Sequence, residues 1–184
     1  MFVLGSRGDF KTFGHGKLES PPEDDIVIRS VGIAFDEVNH KYHTCDHEEK
    51  KGKSTIRTYD LRARRKEEHG FPTVINGFIR HLSIDSRSNV MSGISNRQTF
   101  AQFDLNTGEF TDFGNLDFSS YGIVDSSNSE SKNCFDQNTG TYFVQFTDKN
   151  NKSLNTLISV QTRNQNRANF IPLITNLDTM IFIN

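Results

Sequence analysis

Tryptophan is absent from this chain, and cysteine, proline and long apolar runs are scarce. The 184 residues include no Trp, 2 Cys and 4 Pro. Two cysteines are too few for the disulfide framework of a small secreted domain. No run approaches the roughly 18 apolar residues that a membrane-spanning helix needs. The sequence therefore predicts a soluble domain that depends on its apolar core and has no membrane partner.

The chain also lacks an excess of charge of either sign. Its 21 Lys and Arg residues are balanced by 23 Asp and Glu residues, which leaves a formal net charge of −2. Because binding to nucleic acid or to an anionic membrane depends on a basic surface, we expect neither partner. The short apolar start before Arg7, Asp9 and Lys11 is unlike a secretory signal peptide. These features favour a cytoplasmic location.

Aromatic and small polar residues are plentiful by contrast. The chain contains 16 Phe and 4 Tyr residues. Phe, Tyr and Thr favour strands, whereas Gly, Asn and Ser favour the turns between them. No stretch shows a sustained apolar period of 3.6 residues, and the best helical candidate, Leu61–His69, has no apolar face. The composition and the pattern together predict an all-β fold.

A motif in which an apolar residue precedes Asp recurs with a period of about fifty residues. It occurs as Phe35-Asp36, Ile84-Asp85 and Phe135-Asp136, and a weaker copy ends the chain at Ile183-Asn184. The steps are 49 (85 − 36), 51 (136 − 85) and 48 (184 − 136) residues. Self-similarity at a fixed period on this scale indicates a repeat architecture. We expect the three Asp residues to occupy equivalent strand ends in successive repeats.

A second motif follows the same rhythm. Gly8-Asp-Phe-Lys-Thr-Phe-Gly14 recurs 100 residues later as Gly108-Glu-Phe-Thr-Asp-Phe-Gly114. Each full period divides into four strand candidates, which in the clearest repeat are Ile79–Asp85, Val90–Ile94, Thr99–Leu105 and Glu109–Phe113. The turn Asn106–Gly108 offers residues that tolerate positive φ, so it predicts a hairpin between the third and fourth strands. Phe110 and Phe113, like Phe10 and Phe13, are expected to pack between neighbouring repeats.

Four strands in each period of 40 to 50 residues are typical of β-propeller blades. With Phe103-Asp104-Leu105-Asn106-Thr107-Gly108 as the strand and turn of such a blade, the chain resembles the WD40/YVTN-like β-propeller superfamily. The resemblance implies about three and a half four-stranded antiparallel blades of roughly 50 residues, in an incomplete or four-bladed ring. The expected divisions are a partial blade over 1–30, blades over about 31–78, 79–128 and 129–178, and the start of another over 179–184.

The two ends of the chain enter and leave the repeat at different phases. Phe2–Gly14 matches a third and a fourth strand, whereas Met180–Asn184 matches a first strand. If the two ends meet, a four-bladed ring closes with one strand missing. If they do not meet, two open blade edges remain, and their unpaired backbone groups favour self-association. The sequence leaves both arrangements open and favours the open one.

Three potential zinc ligands alternate along one predicted strand. His43, Cys45 and His47 fall on the same face of that strand, and their side chains are of ligand type. A flat strand, however, spreads alternate side chains about 7 Å apart, too far for tetrahedral coordination without a bend. The aligned positions of the third repeat carry Phe143, Gln145 and Thr147, which do not form a metal site. We therefore predict no metal at these residues.

No other pattern predicts a chemical site. An Asp at a strand end accepts hydrogen bonds from the backbone of the following turn, which explains Asp36, Asp85 and Asp136 without catalysis. The mixed charge runs Glu48–Lys53 and Arg62–Glu68 are interpreted as solvated loops. No phosphate-binding loop, nucleophile elbow or zinc-protease motif is present. The sequence predicts no catalytic, cofactor-binding or metal-binding residue, and no cofactor.

Two functional classes remain for this chain, beside the possibility of a non-functional gene fragment, which the different repeat phases of its two ends favour. The favoured one is a non-catalytic interaction or scaffold module that presents its loops to another protein. The alternative is a hydrolase-type propeller enzyme, or a fragment of one, with a site at the mouth of the channel. Carboxylate and His side chains gathered there with a metal would favour the enzyme. Because a fold does not determine a function, the choice depends on the geometry of a site.

Overall fold

The computed structural model describes the chain in eight segments, which are residues 2–4, 10–12, 28–62, 73–123, 132–148, 150, 155–163 and 167–173. Within these segments the chain forms 15 β-strands and one short 3-10 turn, Glu49–Lys51, with no α-helix. The same segments include no helix long and apolar enough to cross a membrane. The prediction of an all-β fold is confirmed. The predicted strand at Met180–Asn184 lies outside the described residues.

The strands form a hairpin and three larger antiparallel sheets. The hairpin pairs β1 (Phe2–Leu4) with β2 (Phe10–Thr12). The first sheet contains β3 (Ile28–Asp36), β4 (Lys41–Glu48), β5 (Lys53–Asp60) and β6 (Thr73–Asn76). The second contains β7 (Ile79–Asp85), β8 (Val90–Ser95), β9 (Thr99–Asp104) and β10 (Phe110–Asp117). In the third, β11 (Tyr121–Ile123) and β12 (Asn133–Asp136) both pair with β13 (Thr141–Asp148), followed by β14 (Asn155–Gln161) and β15 (Arg167–Leu173).

The repeated Asp residues occupy equivalent places in the three sheets. Asp36, Asp85 and Asp136 are the last residues of β3, β7 and β12, and a turn of four residues follows each of them. The last residue of each turn has a positive φ, at 51° for His40, 59° for Asn89 and 69° for Gly140. The expectation that the three motifs end equivalent strands is confirmed. The propeller arrangement and the blade boundaries stay predictions.

The three sheets pack face to face in the order of the sequence, with β3 beside β7 and β7 beside β12. In the second and third sheets we call the face that packs on the preceding sheet the front face, and the opposite one the back face. The same names are used for the equivalent register positions of the first sheet. By register, the front-face positions are Phe35, Tyr42 and Tyr59 in the first sheet, Ile84, Met91 and Phe103 in the second, and Phe135, Tyr142 and Val160 in the third.

Two apolar cores separate the three sheets. The first core joins the back face of the first sheet to the front face of the second, with Cys45 and Ile56 against Met91 and Phe103. The second core joins the second sheet to the third and includes Ile94, Phe100, Tyr142, Val144 and Ile158. The middle sheet is therefore covered on both faces. Burial of these apolar surfaces is the main favourable contribution to the stability of the stack.

Phe110 and Phe113 pack on opposite sides of β10. Phe110 packs against the first core and Phe113 against the second, and each is half-buried. Their separation of three residues places them on opposite faces, because side chains alternate along a strand. The expectation that both contribute to packing between neighbouring sheets is confirmed. The side chains of Phe10 and Phe13 lie outside the described part of the chain.

Gly32 allows β3 to approach the second sheet closely. A Cβ atom at this position would lie 2.6 Å from the carbonyl oxygen of Ile79 and 2.8 Å from the Cδ1 atom of Leu82. The carbonyl oxygen belongs to the backbone of β7, so it cannot move aside without displacing the strand. Any larger residue at position 32 would push the first and second sheets apart.

Candidate interaction surfaces

The turns that follow the first strands form a continuous surface at one end of the sheets, which we call the turn rim (Glu37–His40, Ser86–Asn89 and Gln137–Gly140). The hydroxyl of Ser86 donates to Asp36 Oδ1 at 2.7 Å. The backbone N–H of Ser86 donates in the other direction, to Gln137 Oε1 of the third turn at 3.0 Å. These contacts join residues 50 and 51 positions apart, so each turn is fixed to the next.

Each repeated carboxylate also holds its own turn. The oxygens of Asp36, Asp85 and Asp136 accept backbone N–H groups two or three residues further on, at 3.0, 3.1 and 2.9 Å. The predicted turn role of these residues is confirmed. Burial by itself would raise the pKa of Asp36, but hydrogen bonds from Ser86 and Asn39 outweigh it and lower that pKa. The pKa of Asp136 is also lowered, since bonds from Thr139 and Asn138 outweigh its burial.

An arginine of the third sheet completes the rim. Arg163, which follows β14, donates from Nη2 to both carboxylate oxygens of Asp85, at 3.1 and 3.0 Å, and from Nε at 3.3 Å. Its Nη2 and Nη1 atoms also donate to the carbonyl oxygens of Gln137 and Asn138, at 3.1 and 3.2 Å. Sequence reasoning missed this residue, because the pairing joins positions 78 residues apart without a motif.

Replacement of Arg163 by Met is expected to lower the free energy of unfolding by about 1–2 kcal/mol, because the carboxylate of Asp85 loses its charged donor. Asp85 is 4% exposed, so water replaces the lost partner poorly. Arg87→Met is the control, since Arg87 is an exposed rim arginine and its loss is expected to cost less than about 0.5 kcal/mol. Urea unfolding of the two variants measures the difference. Equal costs would contradict the stabilising role of Arg163.

The three turns of the rim share one backbone conformation but expose different side chains. Val38, Arg87 and Asn138 occupy equivalent positions in the three turns, and all three are exposed. Val38 is the most exposed large apolar side chain described, at 65%. A binding partner would therefore meet an apolar, a cationic and an amide group on one rigid edge. Exposed loops that a rigid scaffold holds in place are frequent binding sites.

His43, Cys45 and His47 share one face of β4, as predicted, and this is the back face that packs on the second sheet. His43 and Cys45 are fully buried, and Cys45 is part of the first core. His43 Nδ1 lies 3.0 Å from Thr58 Oγ1, and His47 Nδ1 lies 2.9 Å from Ser54 Oγ. Among the described residues, no group of three His, Cys, Asp or Glu side chains is arranged to hold a metal ion. The absence of zinc stays a prediction.

Burial sets the ionisation of the groups near this core. It lowers the pKa of His43 to about 4 and raises the pKa of the Cys45 thiol. The Nε2 atom of His43 is buried and has no hydrogen-bond partner in the part of the chain that the structure describes. Burial also raises the pKa of Cys134 to about 11. Neither thiol has the lowered pKa that a nucleophilic cysteine needs.

The front face of the first sheet differs from its two counterparts. The six front-face residues named above for the second and third sheets are at most 8% exposed, whereas Phe35, at the equivalent position of the first sheet, is 54% exposed. The ring of Phe35 lies 5.0 Å from that of Tyr42, which lies 6.0 Å from the ring of Tyr59. Ile33 and Val74 extend the surface, at 43% and 59% exposure. We call these five residues the bare face.

Comparisons with known proteins do not assign this chain to a family. No family model matches it, and no curated protein matches it. The interpretation of the rim and of the bare face therefore depends on their geometry. The resemblance to β-propellers stays a prediction from the repeat pattern.

Proposed function

We propose that the chain is a propeller-like, non-catalytic interaction module that binds another protein at the turn rim. The observation that carries this proposal is the set of hydrogen bonds between neighbouring turns, which Ser86 donates from its hydroxyl to Asp36 and from its backbone N–H to Gln137. A surface that is already ordered loses little conformational entropy when a partner binds. The rim therefore has the rigidity that a scaffold for recognition requires.

The packing of the sheets supports a propeller-like arrangement. The second and third sheets each place the front face on the back face of the sheet before, and their first strands follow β3 side by side. Burial decreases from the first strands toward β10 and β15 at the outer edge. In such an arrangement the turn rim lies around one mouth of the ring, where partners of propellers find loops from several blades at once.

The repeated carboxylates favour the binding function over the hydrolase alternative. A catalytic carboxylate needs an oxygen that is free to meet a substrate or to exchange a proton. Asp36, Asp85 and Asp136 instead accept hydrogen bonds from their own turns, and Asp85 also pairs with Arg163. No observation among the described residues favours a hydrolytic site.

Selection of a displayed library of random peptides on the immobilised chain tests this proposal. A variant that combines Val38→Asp and Arg87→Asp changes the rim by three negative charges. The control combines Lys50→Asp and Asn96→Asp, which make the same charge change in exposed turns at the opposite end of the sheets. We expect enriched peptides to bind the rim variant at least about tenfold more weakly and the control with little change, because a few central residues dominate binding.

Two results would contradict the rim as the binding surface. One is a selection that enriches no peptide above the background. The other is a set of enriched peptides that lose the same affinity for both charge variants, which would indicate general electrostatic attraction. Thermal unfolding of both variants verifies that each keeps the fold.

A further inference from the structure

The outer strand of the third sheet has an edge that differs from the outer edges of the other two sheets. The outer strand of the first sheet, β6, has 4 residues, and β10 of the second sheet has an irregular register between Phe113 and Asp117. Strand β15 is longer than β6, with 7 residues, and all of them pair with β14 in an uninterrupted register. Short strands and irregular registers protect sheet edges against pairing with other molecules, and β15 has neither.

Strand β15 is also exposed and mostly apolar. Phe170 and Ile171 lie on opposite faces of the strand, at 47% and 46% exposure. Only Arg167 is charged among its residues, and β14 is the only described strand that pairs with it. A long, regular and apolar edge of this kind is suited to pairing with a strand of another molecule. We propose that the outer edge of β15 pairs with β15 of a second copy of the chain, about a two-fold axis.

Pro172 determines which backbone groups of β15 point away from β14. The pair of Pro172 with Thr156 cannot exchange two hydrogen bonds, because proline has no N–H. Bonded and non-bonded pairs alternate along an antiparallel ladder, so the bonded pairs with β14 are those of the odd-numbered residues of β15. The N–H and C=O groups of Ala168 and Phe170 therefore point outward. No hydrogen bond from another described segment reaches them.

One register of two antiparallel copies pairs all of these outward groups. When Asn169 faces Asn169 of the second copy, Ala168 of each copy exchanges two hydrogen bonds with Phe170 of the other. In the next register, Phe170 faces Phe170 of the second copy, and the C=O of Ala168 faces Pro172, which has no N–H to donate. We expect the first register, because a backbone group that is buried without a partner is costly.

The side chains of β15 also suit an identical strand in this register. Arg167 of one copy faces Ile171 of the other, so the stem of the arginine can cover an apolar side chain and no like charges meet. Phe170 faces the small side chain of Ala168, which leaves room for the ring. That ring is already held on the sheet, since it stacks on Tyr121 at a distance of 5.7 Å. A two-fold contact is self-complementary, so the edge needs no second kind of protein.

Sedimentation equilibrium tests the contact. An interface made by one pair of strands is small, so we expect the mass to rise from monomer to dimer between about 10 µM and 1 mM protein. Ile171→Lys places a cation opposite Arg167 of the second copy. It should weaken dimerisation at least about fivefold, because like charges that face each other across strands are unfavourable and the contact occurs twice. Ile171→Glu faces the same arginine and should dimerise more tightly than Ile171→Lys.

Val74→Lys is the matched control for these variants. Val74 is an exposed apolar residue of another outer strand, β6, at 59% exposure. The same change of charge there should leave the dimerisation constant unchanged. Thermal unfolding of each variant verifies that it keeps the fold.

A disulfide measurement tests the register. Residues of a non-bonded antiparallel pair have Cα atoms about 4.5 Å apart, which is within the range of a disulfide. In a Cys134→Ser background, Asn169→Cys should therefore form a disulfide-linked dimer in high yield with oxidised glutathione. Ile171→Cys is the control on the same face of the strand. Its two copies would lie four residues apart along the ladder, at least about 13 Å, and should form little disulfide.

Four results would overturn the proposal. A chain that stays monomeric up to about 1 mM would show that the edge does not pair with itself. A mass that rises beyond the dimer would show an open-ended contact in place of a two-fold one. Equal weakening by Ile171→Lys and Val74→Lys would show that β15 is not the contact, and equal disulfide yields from the two cysteine variants would contradict the register. None of these results depends on whether the turn rim binds a partner.

Discussion

Phe100→Ala is expected to lower the free energy of unfolding by about 3–5 kcal/mol, the usual cost of removing a fully buried Phe side chain. Phe100 is 0% exposed and joins the second sheet to the third through Tyr142, at a ring distance of 5.7 Å. Its removal leaves a cavity between two sheets that the surrounding strands cannot close, because their backbones are fixed by ladder hydrogen bonds. Urea unfolding followed by far-ultraviolet circular dichroism measures the loss.

Phe113→Ala is the matched control for this prediction. Its ring lies 5.6 Å from that of Phe100, but the residue is only half-buried and lies on the outer strand β10. We expect a cost of about 1–2 kcal/mol, since water can enter part of the space that the ring leaves. Equal losses from the two substitutions would show that the second core extends to the edge of the sheet. That result would contradict the burial described here.

Acidification from pH 7 to pH 5 is expected to destabilise the protein through His43 by about 2 kcal/mol. Burial lowers the pKa of this residue from 6.5 to about 4. Below pH 6.5 the unfolded chain binds a proton that the folded chain excludes, so the stability falls as the pH decreases. The loss approaches about 3 kcal/mol at pH 4, where the folded protein begins to bind the proton too.

His43→Gln is expected to remove this part of the pH dependence, and His40→Gln is expected to leave it unchanged. His40 is an exposed rim residue, whereas His43 is completely buried. Urea midpoints at pH 7, 6 and 5 provide the comparison. Titration of Asp36 and Asp136 does not affect the range from pH 7 to pH 5. Because their pKa values are lowered in the folded protein, they stop contributing to the free energy of unfolding only below about pH 4. Parallel pH profiles for the two variants would show that His43 is accessible to protons in the folded state.

The repeat pattern predicted the strand ends because a local rule produces them. An Asp at the end of a strand accepts hydrogen bonds from the N–H groups of the turn that follows. The positions of Asp36, Asp85 and Asp136 can therefore be recognised from a few neighbouring residues. The outer strands were harder to place. The fourth strand of the second repeat was predicted over Glu109–Phe113 and is observed over Phe110–Asp117. Strand β11 was not predicted, since its three residues pair only with the distant strand β13.

The candidate surfaces depend on contacts that no local pattern encodes. The alternation of His43, Cys45 and His47 indicated a shared face, which is correct, but alternation cannot indicate whether that face meets water or another sheet. The same limit applies to the bare face. Phe35 and Phe135 occupy identical places in the repeat, yet their exposures are 54% and 8%. The difference arises from what packs on each sheet, and only the tertiary structure provides that.

The two interfaces between the sheets are joined by different polar contacts at the turn rim. Ser86 and Asp36 connect the first sheet to the second, whereas Arg163 of the third sheet pairs with Asp85 of the second. Arg163 also crosses the position where a Cβ atom of residue 140 would lie, within 2.5 Å of its Cδ atom, so Gly140 and Arg163 depend on each other. The contacts therefore distinguish one repeat from the next. An exchange of the third repeat for a copy of another would leave Asp85 buried without its cation or place a side chain in the path of Arg163.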